Sequence, residues 1–269
     1  MILSSIFQRV YCDFLMPSRL GKYRDLLEDA TKRGYHFHSV YSFHQECQSG
    51  AVAFPALILR HDIDSDVATA KEIWKIEQSL GARSSFYFRL STIDVPLMQS
   101  IEAVGSEASY HYEELATVAK RRRVRLANEV DSILPEVREM FAENLLKLRT
   151  KTGLPMRTVA SHGDFANRAL GVPNHVILND PELRQRLNIA LEAYDAEAMS
   201  KVDVRCSDAP YPEHWSPVDP QHAIRMHTNV VYILTHPRNS RVARLENLRL
   251  LLQRIAENFS YKVKYAGRR

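Results

Sequence analysis

The sequence predicts an α/β protein in which parallel strands and helices alternate within one domain, closing into a barrel, complete or incomplete. Three observations carry this. Short apolar or β-prone runs alternate with helix-periodic segments from residue 56 onward, the pattern of consecutive β/α units. A chain of 269 residues suits a single α/β barrel. The polar clusters follow the predicted strands, which is where such barrels keep their chemistry.

The elements follow in order. Residues 18–33 read as a helix, with Ser18 as N-cap and Gly34 as the stop. Ala56 to Arg60 is a short apolar run with the character of a buried strand, and it leads into His61-Asp62-Ile63-Asp64. Val67 to Leu80 is helix-periodic and ends at Gly81. Ser84 to Leu90 is aromatic and β-prone. Pro96 to Val104 reads as a helix and Ala108 to Tyr112 as a third strand. Glu113 to Arg149 is mostly helical, with Pro135 either starting a new helix or kinking a continuous one. Leu134, Val137, Phe141, Leu145 and Leu148 form its apolar stripe. Strands are expected at Met156 to Ser161, Ile189 to Tyr194 and Val230 to Thr235, then a helix from Val242 to Asn258 and a strand from Tyr261 to Tyr265.

Composition narrows the classes. An apolar share of 45% and a charged share of 25% are ordinary for a globular chain with a core. The net charge of +4 is a mild excess that demands no anionic partner, and no nucleic acid is expected. The three cysteines, Cys12, Cys47 and Cys206, show neither a disulfide framework nor paired zinc spacing, which favours a reducing compartment. Met1 to Leu20 lacks the basic start and clean apolar run of a signal peptide. No window holds 18 uninterrupted apolar residues, so no transmembrane helix is expected. The expected location is cytoplasmic.

Asp62 and Asp64 stand two apart at a strand end, so alternation puts both carboxylates on one face. Two carboxylates aimed at one spot repel unless a cation or a proton separates them. A divalent metal solves that problem and frees one carboxylate to act as a base. The competing reading is a helix start, with Asp64, Ser65 and Asp66 capping the next helix. His111, His162 and His236 each end a predicted strand. A lone histidine is more often structural than a ligand. Three histidines and two aspartates together at strand termini suit zinc or a similar divalent ion.

The run Leu59-Arg60-His61-Asp62-Ile63-Asp64, followed by Leu80-Gly81-Ala82-Arg83-Ser84-Ser85-Phe86-Tyr87-Phe88, resembles the opening of the polysaccharide deacetylases, the NodB homology domain. Tyr110-His111-Tyr112-Glu113-Glu114-Leu115, Ala160-Ser161-His162-Gly163-Asp164 and Leu234-Thr235-His236-Pro237 occur in the family's order. The resemblance covers roughly Leu57 to Tyr265. It implies a distorted (β/α) barrel over residues 51–269, preceded by an N-terminal helical extension over residues 1–50. It also implies removal of an acyl group, usually acetyl, from an amino sugar or glycan intermediate. Carried over, Asp62 is the catalytic base, Asp64 and His111 are metal ligands, and His236 is the general acid. The metal-bound water would be activated by Asp62, and the metal would stabilise the oxyanion.

Two departures stand out. Leu115 occupies the place of the family's second histidine ligand, and the segment around His162 replaces the family's arginine-proline-tyrosine segment. The third ligand is then His162 or, as second candidate, Glu114. Arg60, on the strand face of Asp62, is positioned to supply the missing arginine's charge. Arg60, Asp164 and Asp208 are the expected substrate-binding residues. Asp208 has two further readings, as the partner that orients a catalytic histidine and as an ordinary turn aspartate. The pair His36 and His38, with His44, reads as surface or packing in preference to metal. The five basic residues within Lys120 to Arg125 read as a solvated helix face in preference to a phosphate site. Two other functions stay open: a catalytically silent carbohydrate-binding barrel, kept alive by Leu115, and a hydrolase of some other amide.

Overall fold

The computed structural model describes residues 8, 10–209, 214–249 and 252. Its described strands are β1 (His36–His38), β2 (Ala56–Ile63), β3 (Ser85–Phe88), β4 (Glu107–Tyr112), β5 (Thr158–Ser161), β6 (Leu191–Glu192), β7 (Val204–Asp208), β8 (Trp215–Pro217) and β9 (Val230–Thr235). They form one sheet in the order β6-β5-β4-β3-β2-β9-β7-β8, with β1 added beside the first half of β2. Every pairing is parallel except β7 with β8. The sheet curls into a half-barrel. The ends of this strand order are β6 and β8; no ladder joins β6 to β7 or β8 among the described residues, and across this seam the Arg205 guanidinium carbon of β7 lies 5.1 Å from the ring centre of Tyr194, just past β6.

β2 shows why the sequence reads as a buried strand. All eight of its residues are buried. Leu57, Leu59 and Ile63 pack outward in one apolar cluster with the covering helices, including Ile73 and Ile76 of the helix Val67–Ser79. Ala56 and Ile58 face inward in a second cluster with Tyr87, Tyr232 and Leu234. A strand covered on both faces has no reason to alternate apolar with polar, so only a continuous apolar run is visible. The same alternation sends Arg60 and Asp62 inward and His61 outward. His61 meets Thr235 Oγ1 at 2.6 Å and Glu77 Oε1 at 2.7 Å. Glu77 also accepts from Tyr23 at 2.5 Å and Ser84 at 2.6 Å, which ties the helix Leu20–Lys32 to the sheet.

The expected long helical stretch is two helices, Glu114–Arg122 and Val130–Thr152. The break falls at Arg123, whose φ of 61° is left-handed, and Pro135 lies inside the second helix. Residues 36–49, expected within a helical extension, instead build β1 and the helix Val40–Ser49. Ser39 caps that helix by accepting from Ser42 N at 3.0 Å, and its Val40 and Phe43 join the inner cluster. The expected helix at Val242 begins at Arg244 as far as the described residues run, and the expected strand Tyr261 to Tyr265 lies outside them. Among the described residues no helix is long and apolar enough to cross a membrane.

Candidate metal centre

Three parallel strands deliver three ligating side chains to the C-terminal rim. Asp64 follows β2, His111 is the penultimate residue of β4, and His162 follows β5. One ligand atom from each lies within 4.8 Å of the others. His162 Nδ1 is 2.8 Å and His111 Nε2 is 3.4 Å from Asp64 Oδ1, and the two nitrogens are 3.3 Å apart. His111 Nδ1 is 2.9 Å from the carbonyl oxygen of Ala160, so it must be the protonated nitrogen, and Nε2 presents a lone pair to the cluster. Asp64 Oδ1 is buried and receives no aligned hydrogen-bond donor. Burial would raise the Asp64 pKa, but the two imidazoles outweigh it and hold it well below the carboxylate range. An ionised, undonated carboxylate oxygen facing two imidazole nitrogens is a donor set that fits a divalent ion such as zinc.

Glu114 does not join the cluster. Its carboxylate turns into the helix layer, where it accepts from the Tyr110 hydroxyl and, at 2.8 Å, from Asn144. Burial pushes its pKa up. Leu115 is fully buried in the apolar core.

Asp62 lies beside the cluster, its Oδ2 3.6 Å from His111 Nε2. Arg60 grips it from below with two parallel bonds, Nε to Oδ1 at 2.7 Å and Nη2 to Oδ2 at 2.8 Å. Burial alone would raise the Asp62 pKa; Arg60, by charge and hydrogen bond, together with His111 and His236 more than offsets it, so the carboxylate titrates below its usual value. Arg60 has no exposed surface, so the expected substrate contact gives way to the other role expected of it, a positive charge behind Asp62. Its guanidinium carbon sits 4.5 Å from the ring centre of Tyr194 and 5.4 Å from that of Tyr87.

His236 follows β9 on the opposite side of Asp62. Asp208, at the end of β7, accepts from His236 Nδ1 and from its backbone N–H, each at 2.7 Å. Burial works against the imidazolium, but Asp208 by charge and hydrogen bond, then Asp64 and Asp62 by charge, push the His236 pKa up to about 9. Both Asp208 oxygens are thus committed to His236, the orienting arrangement. Asp164 is similarly committed: Oδ1 caps the helix Phe165–Leu170 through Ala166 N at 2.8 Å, and Oδ2 takes Lys120 at 2.9 Å.

Several residues around the rim carry no motif. Arg89, directly after β3, donates through Nη2 to both oxygens of Glu113, at 2.8 and 2.6 Å, and its Nη1 reaches the Asp64 carbonyl at 3.5 Å. The only sequence signal for it is a charge next to a buried strand. Of the histidine pair near the N-terminus, His38 is buried with both ring nitrogens lacking hydrogen-bond partners, 3.6 Å from Glu46. The basic run from Lys120 is mostly paired, Arg121 and Arg122 with Glu136.

No protein-family model, no curated protein and no solved structure matches this chain significantly. The fold class rests on the strand topology and the site on its geometry.

Proposed function

We propose that the chain is a metal-dependent hydrolase that removes an acyl group, in the first instance N-acetyl, from an amino sugar or glycan intermediate, on a distorted barrel of the polysaccharide deacetylase type. One observation supports this above all: Asp64, His111 and His162 converge at the strand C-termini with an ionised Asp62 on one side and a protonated His236 on the other. A divalent ion held by those three residues would supply Lewis acidity toward water and the acyl carbonyl. Asp62 takes the proton of the attacking water as its oxygen bonds to the acyl carbon. Arg60 keeps Asp62 ionised and fixes its plane. His236 delivers its proton to the amide nitrogen as the carbon–nitrogen bond breaks, giving a free amine and a carboxylate. Asp208 holds the His236 ring so that Nε2 carries the mobile proton.

The reading is tested by metal analysis of the purified chain together with acetate release from a panel of N-acetylated sugars. One divalent ion per chain and acetate release that stops on chelation are expected. Bound metal without turnover on any acylated sugar would favour a silent carbohydrate-binding barrel, and release from non-sugar amides alone would favour a different amidase.

A further inference from the structure

Four cations around the rim and interior hold carboxylates: Arg60 with Asp62, Arg89 with Glu113, Lys120 with Asp164 and Arg184 with Asp195. Arg205 holds none. It is half-buried on β7, in register with Tyr232 of β9 and so on the concave face. Its guanidinium carbon rests 5.1 Å from the ring centre of Tyr194 and 5.7 Å from that of Tyr232. No ion pair or hydrogen bond joins it to a described residue.

The ring of Tyr194 therefore carries two guanidinium groups, since Arg60 lies 4.5 Å from the same centre. The charge of Arg60 is answered by Asp62; that of Arg205 meets no carboxylate among the described residues. A half-buried cation beside another cation is unfavourable unless an anion joins it. The place is also accessible. Arg205 and Tyr194 both keep part of their surface exposed, and Tyr194 lies just past β6, one free end of the sheet. Along β7 it precedes Asp208, the partner of His236, by three residues, roughly 10 Å at the rise of a strand.

We propose that Arg205 binds an oxyanion, a carboxylate or phosphate, on a part of the ligand other than the acyl group that is removed. The identity of that ligand as an acylated sugar rests on the hydrolase reading above; the anion site at the seam does not. The planar fork of arginine suits both oxyanions, and Tyr194 and Tyr232 hold it flat for a bidentate approach.

Calorimetric titration of the full chain with N-acetylglucosamine, N-acetylglucosamine 1-phosphate and glucuronic acid tests it, alongside Arg205→Gln and Arg205→Lys, with thermal melts to verify folding. The wild type is expected to bind at least one charged probe about ten- to a hundredfold more tightly than the neutral one. Arg205→Gln loses that preference and Arg205→Lys, which restores the charge, regains part of it. Tightening on the phosphate alone identifies a sugar phosphate, and on the uronate an acidic sugar. Equal binding of charged and neutral probes, no binding of either charged probe, or a preference that survives in Arg205→Gln overturns the proposal. Metal content and acetate release, measured on the same preparations, separate the two readings. A hydrolase that works without charge preference sinks only the anion site. A charge preference in a chain without metal or turnover sinks only the hydrolase.

Discussion

His111 Nδ1 stands 2.9 Å from the carbonyl oxygen of Ala160, its register partner across β4 and β5. A carbonyl only accepts, so this one contact assigns the ring proton and aims the lone pair of Nε2 at Asp64 and His162. The sheet itself, through the register of two strands, thereby fixes the tautomer of a ligand. That is the orientation a metal-binding histidine needs.

The first prediction concerns which residues hold the ion. Asp64→Ala, His111→Ala and His162→Ala should each weaken zinc binding by more than about 100-fold, the upper end of what loss of an outer-shell partner costs. Glu114→Gln should leave affinity unchanged, because that carboxylate faces Tyr110 and Asn144. Competition with a chromogenic chelator measures all four. Unchanged affinity in His162→Ala, or a large loss in Glu114→Gln, would reverse the choice of third ligand.

Asp62 and Arg60 separate chemistry from support. Asp62→Asn should keep metal and fold while turnover falls about 10²- to 10⁴-fold, the usual cost of losing a general base. Arg60→Met leaves Asp62 buried and unpaired, at a cost of about 3–5 kcal/mol in stability. Without Arg60 only His111 and His236 remain to counter the burial of Asp62, so its pKa rises. The acidic limb of the pH–rate profile should therefore move to higher pH. Equilibrium denaturation and a pH–rate series read these two effects, and a limb that stays put would remove Arg60 from its role.

A third prediction addresses the outward side of β2. Glu77→Ala strips a common acceptor from His61, Tyr23 and Ser84, all buried. Each orphaned donor costs about 1–3 kcal/mol. The variant should melt well below the wild type yet, once folded at low temperature, bind zinc normally. A drop in zinc affinity equal to that of His111→Ala would instead make this network part of the site.

Much of the layout was legible in the sequence because buried parallel strands and glycine-stopped helices leave strong marks. β2, β9 and the helix Val67–Ser79 lie within a residue or a few of where their apolar patterns put them. β7 was not legible: Val204-Arg205-Cys206-Ser207-Asp208 mixes an inward arginine with a strand-end carboxylate, and neither periodicity nor turn residues announce it. β1 is three residues long and escaped for want of length. At the site, the residue types pointed to a cluster, but not to partner choice. The commitment of Asp208 to His236 depends on β7 pairing with β9, and the retreat of Glu114 depends on Asn144, thirty positions away. Contacts set by tertiary pairing carry no local signature.

The last prediction is the titration of His236 in the metal-free chain. Its pKa is raised from 6.5 to about 9, with Asp208, Asp64 and Asp62 together overcoming the penalty of burial. A histidine raised in the folded state stabilises the fold when protonated. That contribution is fully present below the unfolded value near 6.5 and disappears as pH climbs through about 9. Its size is on the order of 3 kcal/mol. Melting temperature without metal should therefore fall between pH 6.5 and 9, and this loss should be largely missing in Asp208→Asn, where the main charge partner is gone. The asparagine oxygen can still accept from one of the two His236 N–H groups that Asp208 serves, while the ring's pKa drops. Imidazole proton resonances followed by NMR across that range give the value directly. If His236 titrates near 6.5 in the wild type, Asp208 does not hold it as an acid, and the proton donor of the proposed reaction must be sought elsewhere.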